Sequence, residues 1–230
     1  MSQISLGNIK IELTQKNIKN VHLSVMPPNG TVRISAPLHI SPDTIRLYAI
    51  SKLGWIKKQQ NKMRSQVRQS KREFINKESH YFLGKRYLMN IVETNGCGKI
   101  VVRNKTTLEL YAKKDSSREQ KQTILNEWYR KELKSIVMPL IAKWEEVLSV
   151  KVEAFGIKQM KTKWGSCNTH ARSIWLNLEL AKKHPAAIEY VVLHEIVHLV
   201  ERLHSNRFFA LMDRYMPQWR EYKKELGLTL

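Results

Sequence analysis

Residues 194–198 read His-Glu-Ile-Val-His, and a further histidine, His204, follows six positions after the last of them. Two histidines four apart on a helix differ by about 40° around its axis. His194 and His198 therefore share one face, and their imidazoles can grip one zinc ion from consecutive turns while Glu195 points to the neighbouring flank. The run is apolar on both sides, with Tyr190, Val191, Val192 and Leu193 before it and Leu199 and Val200 after it. Histidine and glutamate in such a run cost desolvation unless a metal or hydrogen bonds compensate. On a continuous helix His204 would sit about 9 Å beyond His198 and roughly 120° around from it. It becomes a third ligand only if the helix ends and the chain folds back, and Ser205 can cap a new helix at that point. Three neutral histidines leave a fourth position for water, the arrangement of a catalytic rather than a structural zinc.

The elements that must position these residues can be read from periodicity. Pro185 begins the helix carrying the histidines, expected to run to about Arg202; Ser205 caps another to Tyr215, and Pro217 begins a last one ending before Gly227. Short strands are expected over 151–154, 160–164 and 173–178. Before them, residues 117–148 read as a long amphipathic helix that Pro139 should bend or interrupt. The first third alternates: Ile9, Ile11 and Leu13, then Val21, Leu23 and Val25, then Val32, Ile34 and Ala36, which predicts a β-meander. Ser41 and Pro42 start a helix over 41–67 with Ile45, Tyr48, Leu53, Trp55 and Ile56 as its apolar face. Strands follow over 81–83, 87–92, 100–103 and 108–111, with a tight connection at Asn95-Gly96-Cys97-Gly98. No internal repeat is visible. The reading is an α+β chain with an N-terminal β-rich region over 1–114, holding a basic helix, and a C-terminal α+β domain over 115–230.

Upstream of the histidines stand Lys161-Thr-Lys-Trp-Gly-Ser-Cys167 and Ile174-Trp-Leu-Asn-Leu178. Taken with IEYVVLHEIVHLVERLHSNRFF, these runs resemble the YgjP-like family of zinc metallopeptidases, distant relatives of the SprT and WLM proteases. Every fixed position of that pattern is met between Lys161 and Phe208, and Leu53-Gly54-Trp55-Ile56 is similar too. Leu203 and Asn206 depart from it, where Asn and Pro are common. The resemblance implies a zincin-like metallopeptidase domain with a small antiparallel sheet and the HExxH helix. It implies Zn2+ as cofactor, His194, His198 and His204 as ligands, Glu195 as catalytic base and a polypeptide substrate. It also places a carboxylate at Glu201, which can orient a ligand histidine or merely pair with Arg202. Trp164, Gly165 and Ser166 are expected at a strand end beside the metal, where an extended substrate can add through backbone hydrogen bonds. Tyr190, Tyr215 and Arg207 are oxyanion donors to choose between, with no assignment among them. Cys167 reads as a buried strand cysteine, and a ligating Cys167 would favour a structural zinc. Trp175, Phe208, Phe209 and Trp219 read as core.

Charge points elsewhere. Forty Lys+Arg against twenty Asp+Glu leave +20, and the first 150 residues hold 27 of the basic and 12 of the acidic groups. Such a field attracts polyanions. Between Ser51 and Arg72 there are eight basic residues and no acidic one, and Lys62, Arg64, Arg68 and Arg72 are the candidates for weak DNA contact. Members of the family are often encoded near type I restriction–modification genes, which implies a role around DNA-processing complexes and an association with their components. The competing function is a nucleic-acid-associated zinc-binding module with little or no proteolytic activity; Glu195 argues against it, since a structural site needs no base. With 42% hydrophobic and 26% charged residues the chain is of ordinary globular composition. Two cysteines make no disulfide framework, and neither a signal peptide nor a membrane-spanning helix is expected from the residue pattern. The expectation is a cytoplasmic enzyme without membrane contact.

Overall fold

The computed structural model describes residues 2–26, 29–65 and 72–227. The chain divides into two compact units, Met1–Gln69 and Ser70–Leu228. The first unit holds four strands, β1 (Ser2–Leu6), β2 (Ile9–Lys16), β3 (His22–Met26) and β4 (Thr31–Pro37), and two helices, α1 (Pro42–Ser51) and α2 (Leu53–Ser65). Its sheet has the order β1-β2-β4-β3, so the expected meander is corrected: β4 enters between β2 and β3 and runs parallel to β2. Period-2 alternation is blind to this choice, because it fixes which face is buried and not which strand is the neighbour. Burial explains it. Ile11 and Leu13 lie beside Val32, Ile34 and Ala36, all at most 2% exposed, while β3 buries only Val25. Ile45, Ala49 and Ile56 of the two helices close this core.

Ser41 caps α1 by accepting a hydrogen bond from the Thr44 N–H, with Pro42 in the first turn, as expected. The single helix expected over 41–67 is broken at Lys52, whose N–H bonds back to Ala49. The break rotates the register, and Trp55, expected on the apolar face, is 43% exposed. Lys62 and Arg64 fall on α2, and Arg68 lies outside the described residues. Arg72 belongs to the second unit, where its carbonyl accepts a hydrogen bond from Arg118 Nε.

The second unit opens with the same design. Strands β5 (Glu78–Phe82), β6 (Lys85–Glu93), β7 (Lys99–Val102) and β8 (Thr107–Ala112) take the order β5-β6-β8-β7, with β6 parallel to β8. In both sheets the first hairpin turns through a glycine of positive φ, Gly7 and Gly84, a conformation that costs glycine least. The two sheets form a structural repeat that no sequence repeat announces. Helix α3 (Arg118–Leu148) starts in a capping box between Ser117 and Gln120 and runs through Pro139 without interruption. Its buried residues Leu125, Tyr129, Leu133, Val137, Ile141 and Trp144 form one stripe, and the β5–β8 sheet shares a core with it. For that reason the compact unit begins near residue 70 and not at 115: a division at 114/115 would part these strands from the helix they cover.

The remaining elements are β9 (Ala154–Lys158), β10 (Gly165–Asn168), β11 (Ser173–Asn177), a 3-10 turn over Leu178–Lys182, α4 (Pro185–Val197), α5 (Asn206–Tyr215) and α6 (Trp219–Gly227). The small sheet has the order β10-β11-β9, antiparallel on one side of β11 and parallel on the other. It is a mixed sheet, where an antiparallel one was expected. The cause lies in residues 160–164, expected to be a strand. They form an irregular crossing from the end of β9 over the end of β11 to the start of β10, so β11 lies between its two predecessors. No helix among the described residues is long and apolar enough to cross a membrane.

Candidate metal centre

Helix α4 is buried on nearly every side, from Ala187 to Val197. It begins after His184, whose Nδ1 accepts the Ala186 N–H, and Pro185 takes the first helical position. It stops at Val197 rather than continuing to Arg202, leaving His198 as the cap. The N–H groups of Leu199, Val200 and Glu201 bond back to Ile196 and Val197 in a tight reversal. Ser205 then starts α5 by accepting the Phe208 N–H. The reversal returns His204 to the end of α4. Its Nε2 lies 3.1 Å from His194 Nε2, and the three imidazole centroids are 4.8–5.0 Å apart. One donor atom from each of His194, His198 and His204 falls within 4.8 Å of the others; no other described residue joins the group. Phe208 forms an apolar floor, its ring within 5.0 Å of each imidazole.

The electrostatics favour neutral rings at His194 and His198. Burial, with the positive charges of His198, His204 and Lys223, pushes His194 down to about 3, and His198 is lowered mainly by burial. A neutral imidazole is the form that donates a lone pair to a metal. His198 Nδ1 donates to the Glu201 carbonyl at 3.2 Å, which leaves Nε2 for the cluster. Two Nε2 atoms 3.1 Å apart share at most one proton, so at least one of them faces the other with a lone pair, and one cation among the rings satisfies both. Nitrogens around tetrahedral zinc stand about 3.3 Å apart for bonds of about 2.0–2.1 Å, close to the spacing His194 and His204 already have.

Glu195 is 5% exposed and accepts no hydrogen bond from a described residue. Burial raises its carboxyl to about 8, against the pull of the Lys163 charge. Its side chain lies against Gly165 at the start of β10: a methyl there would stand 2.5 Å from Oε1 and 2.7 Å from Cγ. Cys167, two residues on, is pushed up to about 11 by burial and by Glu195. It is a half-buried thiol outside the donor group.

Other expected residues take more structural positions. The Glu201 carboxylate accepts the Leu203 N–H, and its main-chain carbonyl, not the carboxylate, meets the histidine. Trp164 donates its indole N–H to the Leu226 carbonyl, and the Lys183 ammonium sits over its ring. Ser166 is half-buried on β10. Tyr190 stacks on Trp219 and meets His194 edge-on, with burial raising its hydroxyl to about 12. Tyr215 packs on Trp144, and Arg207 is exposed in the first turn of α5. Phe208 and Trp219 are buried as expected and Phe209 is half-buried. Trp175 corrects its reading as core: it is 41% exposed and lies flat over Gly156, with Lys158 above its ring. Three residues near the site were given no role in the sequence, although Lys163 and Asn177 lie within the motif runs. Lys163 and Lys223 act through space, which spacing cannot reveal. Asn177 carried a signal, a lone amide in the apolar run Ile174–Leu178, and such an amide must find partners when buried.

Against known proteins, the family model described as YgjP-like, metallopeptidase domain, matches residues 19–228. The metallopeptidase zymogen abylysin of Pyrococcus abyssi is similar at 18% identity over 39% of this chain and 90% of its own, with a TM-score of 0.37. The zymogen jannalysin of Methanocaldococcus jannaschii is similar at 19% identity over 39% of this chain and 86% of its own, with a TM-score of 0.36. No curated protein matches the chain. A match running from the third strand to the last helix, and taking in the whole histidine cluster, makes this chain a member of the YgjP-like metallopeptidase family, a peptidase of the hydrolase class.

Proposed function

We propose that the chain is a zinc-dependent metallopeptidase in which His194, His198 and His204 hold one Zn2+ and Glu195 is the general base for peptide-bond hydrolysis. One observation carries the proposal: three imidazoles converge, with two nitrogens 3.1 Å apart, and the residue after the first of them is a buried carboxylate that accepts no hydrogen bond from a described residue. Zinc, when bound, supplies a Lewis acid for water and for the scissile carbonyl. Glu195 suits proton transfer because it is a carboxylate next in sequence to a ligand histidine; burial alone raises it, and the charge of a bound cation would favour its ionised form. Lys163 favours the ionised form that accepts the proton. The Glu201 carbonyl orients His198, a common service to ligand histidines. That no described fourth protein donor joins the three histidines supports a catalytic over a structural ion.

Strand β10 lies at the edge of its sheet, so its side away from β11 offers unpaired main-chain groups to an extended polypeptide. Gly165 and Ser166 stand at its start, Gly165 against Glu195, and Trp164 anchors it to the end of α6. A second surface is favoured by charge: residues 1–69 hold 11 Lys+Arg and 2 Asp+Glu, and Lys52, Lys57, Lys58 and Trp55 are exposed. It suits weak contact with DNA around a DNA-processing complex in the cytoplasm, where Cys97 and Cys167 stay free thiols.

The test is digestion of a peptide library by zinc-loaded and by chelator-stripped protein, with X-ray absorption at the zinc edge. Cleavage that depends on zinc, with three imidazole nitrogens and an oxygen around the ion, is expected. A sulfur ligand, or no cleavage by fully loaded protein, would overturn the reading.

A further inference from the structure

The crossing over residues 160–164 carries no regular main-chain pairing, yet it delivers Gly165 to the Glu195 carboxylate. One side chain holds it. Asn177, at the end of β11, is 0% exposed. Its Nδ2 donates to the Met160 carbonyl at 3.0 Å and to the Lys163 carbonyl at 2.7 Å. Its Oδ1 accepts from the Met160 N–H at 3.3 Å and from the Glu179 N–H at 3.2 Å. Its own N–H donates to the Trp164 carbonyl at 2.8 Å. An amide has two donor hydrogens and one oxygen that accepts twice, so Asn177 is fully used. Only a carboxamide satisfies this set: a carboxylate cannot donate to the two carbonyls, and a hydroxyl donates once.

We infer that Asn177 is the positioning residue of this peptidase, clamping the 160–164 crossing so that Gly165 and the edge strand β10 meet Glu195 at a set distance. The inference rests on the proposed role of Glu195 and goes beyond it, because it names what fixes the substrate-side strand against the base. Three placements depend on the clamp. The start of β10 follows Trp164, whose carbonyl Asn177 holds through its backbone. Lys163, whose charge acts on Glu195, is tied through its carbonyl. The opposite rim of the crossing is pinned at Met160 by both amide atoms. None of these contacts touches a ligand histidine, so the clamp separates strand placement from metal binding.

The experiment compares full-length wild type with Asn177→Asp and Asn177→Ser. Asn177→Asp keeps shape and the cap on Glu179 while losing both donated bonds. Asn177→Ser keeps a short acceptor for that cap and remains informative if the buried charge of the first variant prevents folding. Zinc content, hydrogen exchange by mass spectrometry, and kcat and KM on a quenched-fluorescent peptide library are measured on each. Zinc should stay stoichiometric. Amide exchange within 160–168 should rise about tenfold or more, while α3 and α4 stay as protected as in wild type. On the library, kcat should fall by roughly 10- to 100-fold with KM within about threefold, the signature of misplacement by about an ångström rather than of lost binding. Unchanged exchange over 160–168 would overturn the clamp, and so would a loss of protection spread evenly through 70–228 or a loosened crossing with wild-type kcat. A wild-type protein that cleaves nothing contradicts the peptidase reading instead, and the exchange pattern then decides the clamp alone.

Discussion

Gly165→Ala probes the meeting of strand and base with one added methyl. The backbone accepts the change, because Gly165 is not among the residues of positive φ. The obstacle is Glu195. The new Cβ would lie 2.5 Å from Oε1, 2.7 Å from Cγ and 2.9 Å from Cδ. Carbon contacts settle near 3.5 Å, so the carboxylate must retreat by about 1 Å. Helix α4 cannot retreat with it, since Leu193, Ile196 and Val197 are fully buried around it. The side chain must therefore swing, and the base leaves its place. A displacement of about 1 Å costs on the order of 100-fold in rate, while overpacking costs about 1–3 kcal/mol of stability. Zinc affinity should hold, because the three atoms nearest the methyl all belong to Glu195 and none to a ligand histidine. The assay is kcat/KM on a peptide cleaved by the wild type, alongside zinc analysis and a melting curve. Wild-type turnover in a folded, zinc-loaded Gly165→Ala protein would refute the argument. Loss of zinc would show that the strand supports the ligands rather than the base.

Other outcomes follow from the same geometry. His204→Ala should lower zinc affinity by orders of magnitude and leave the circular-dichroism spectrum near wild type, since His204 is exposed and its loss opens no core; unchanged stoichiometric zinc would remove it from the ligand set. In metal-free protein, Glu195 lifted to about 8 from 4.5 holds a proton that the unfolded chain has released, so stability falls as pH rises between about 4.5 and 8. His194 lowered to about 3 from 6.5 acts oppositely: the unfolded chain binds the extra proton, so stability rises with pH between about 3 and 6.5. The two cancel between about 4.5 and 6.5, and Glu195→Gln should abolish the decline between about 6.5 and 8 in denaturant midpoints. A decline that persists in that variant would point to another group. DNA retention at low salt should weaken with a slope of about −0.9 per phosphate neutralised, and Gln at Lys62, Arg64 and Arg68 should flatten it without changing zinc content; binding insensitive to salt would contradict the charge argument.

What the sequence could tell follows the range of the interactions involved. Local signals were legible: Pro185 and Ser205 start helices where expected, and the spacing ties any ligand role of His204 to a reversal of the chain, which the end of α4 at Val197 and the start of α5 provide. Long-range choices were not. Alternation in the first sheet fits a meander and the observed β1-β2-β4-β3 order equally well, and only the burial of Ile34 between β2 and β3 decides it. The helix break at Lys52 is marked only by Gly54 two residues on, a signal that a helix can also absorb, and with it went the placement of Trp55. The 160–164 crossing reads as a strand because Lys-Thr-Lys-Trp alternates, yet the partners that hold it sit on Asn177. The carboxylate of Glu201 was a natural candidate to orient a ligand, but a backbone carbonyl at the same position does so, and no side-chain pattern could separate the two.

The most direct measurement is turnover by Glu195→Gln protein carrying one zinc per chain. Gln keeps the size and shape of the side chain but cannot accept the proton. The account predicts unchanged zinc content, retained peptide binding and cleavage reduced by roughly three orders of magnitude or more. Cleavage near the wild-type rate with the zinc in place would contradict it.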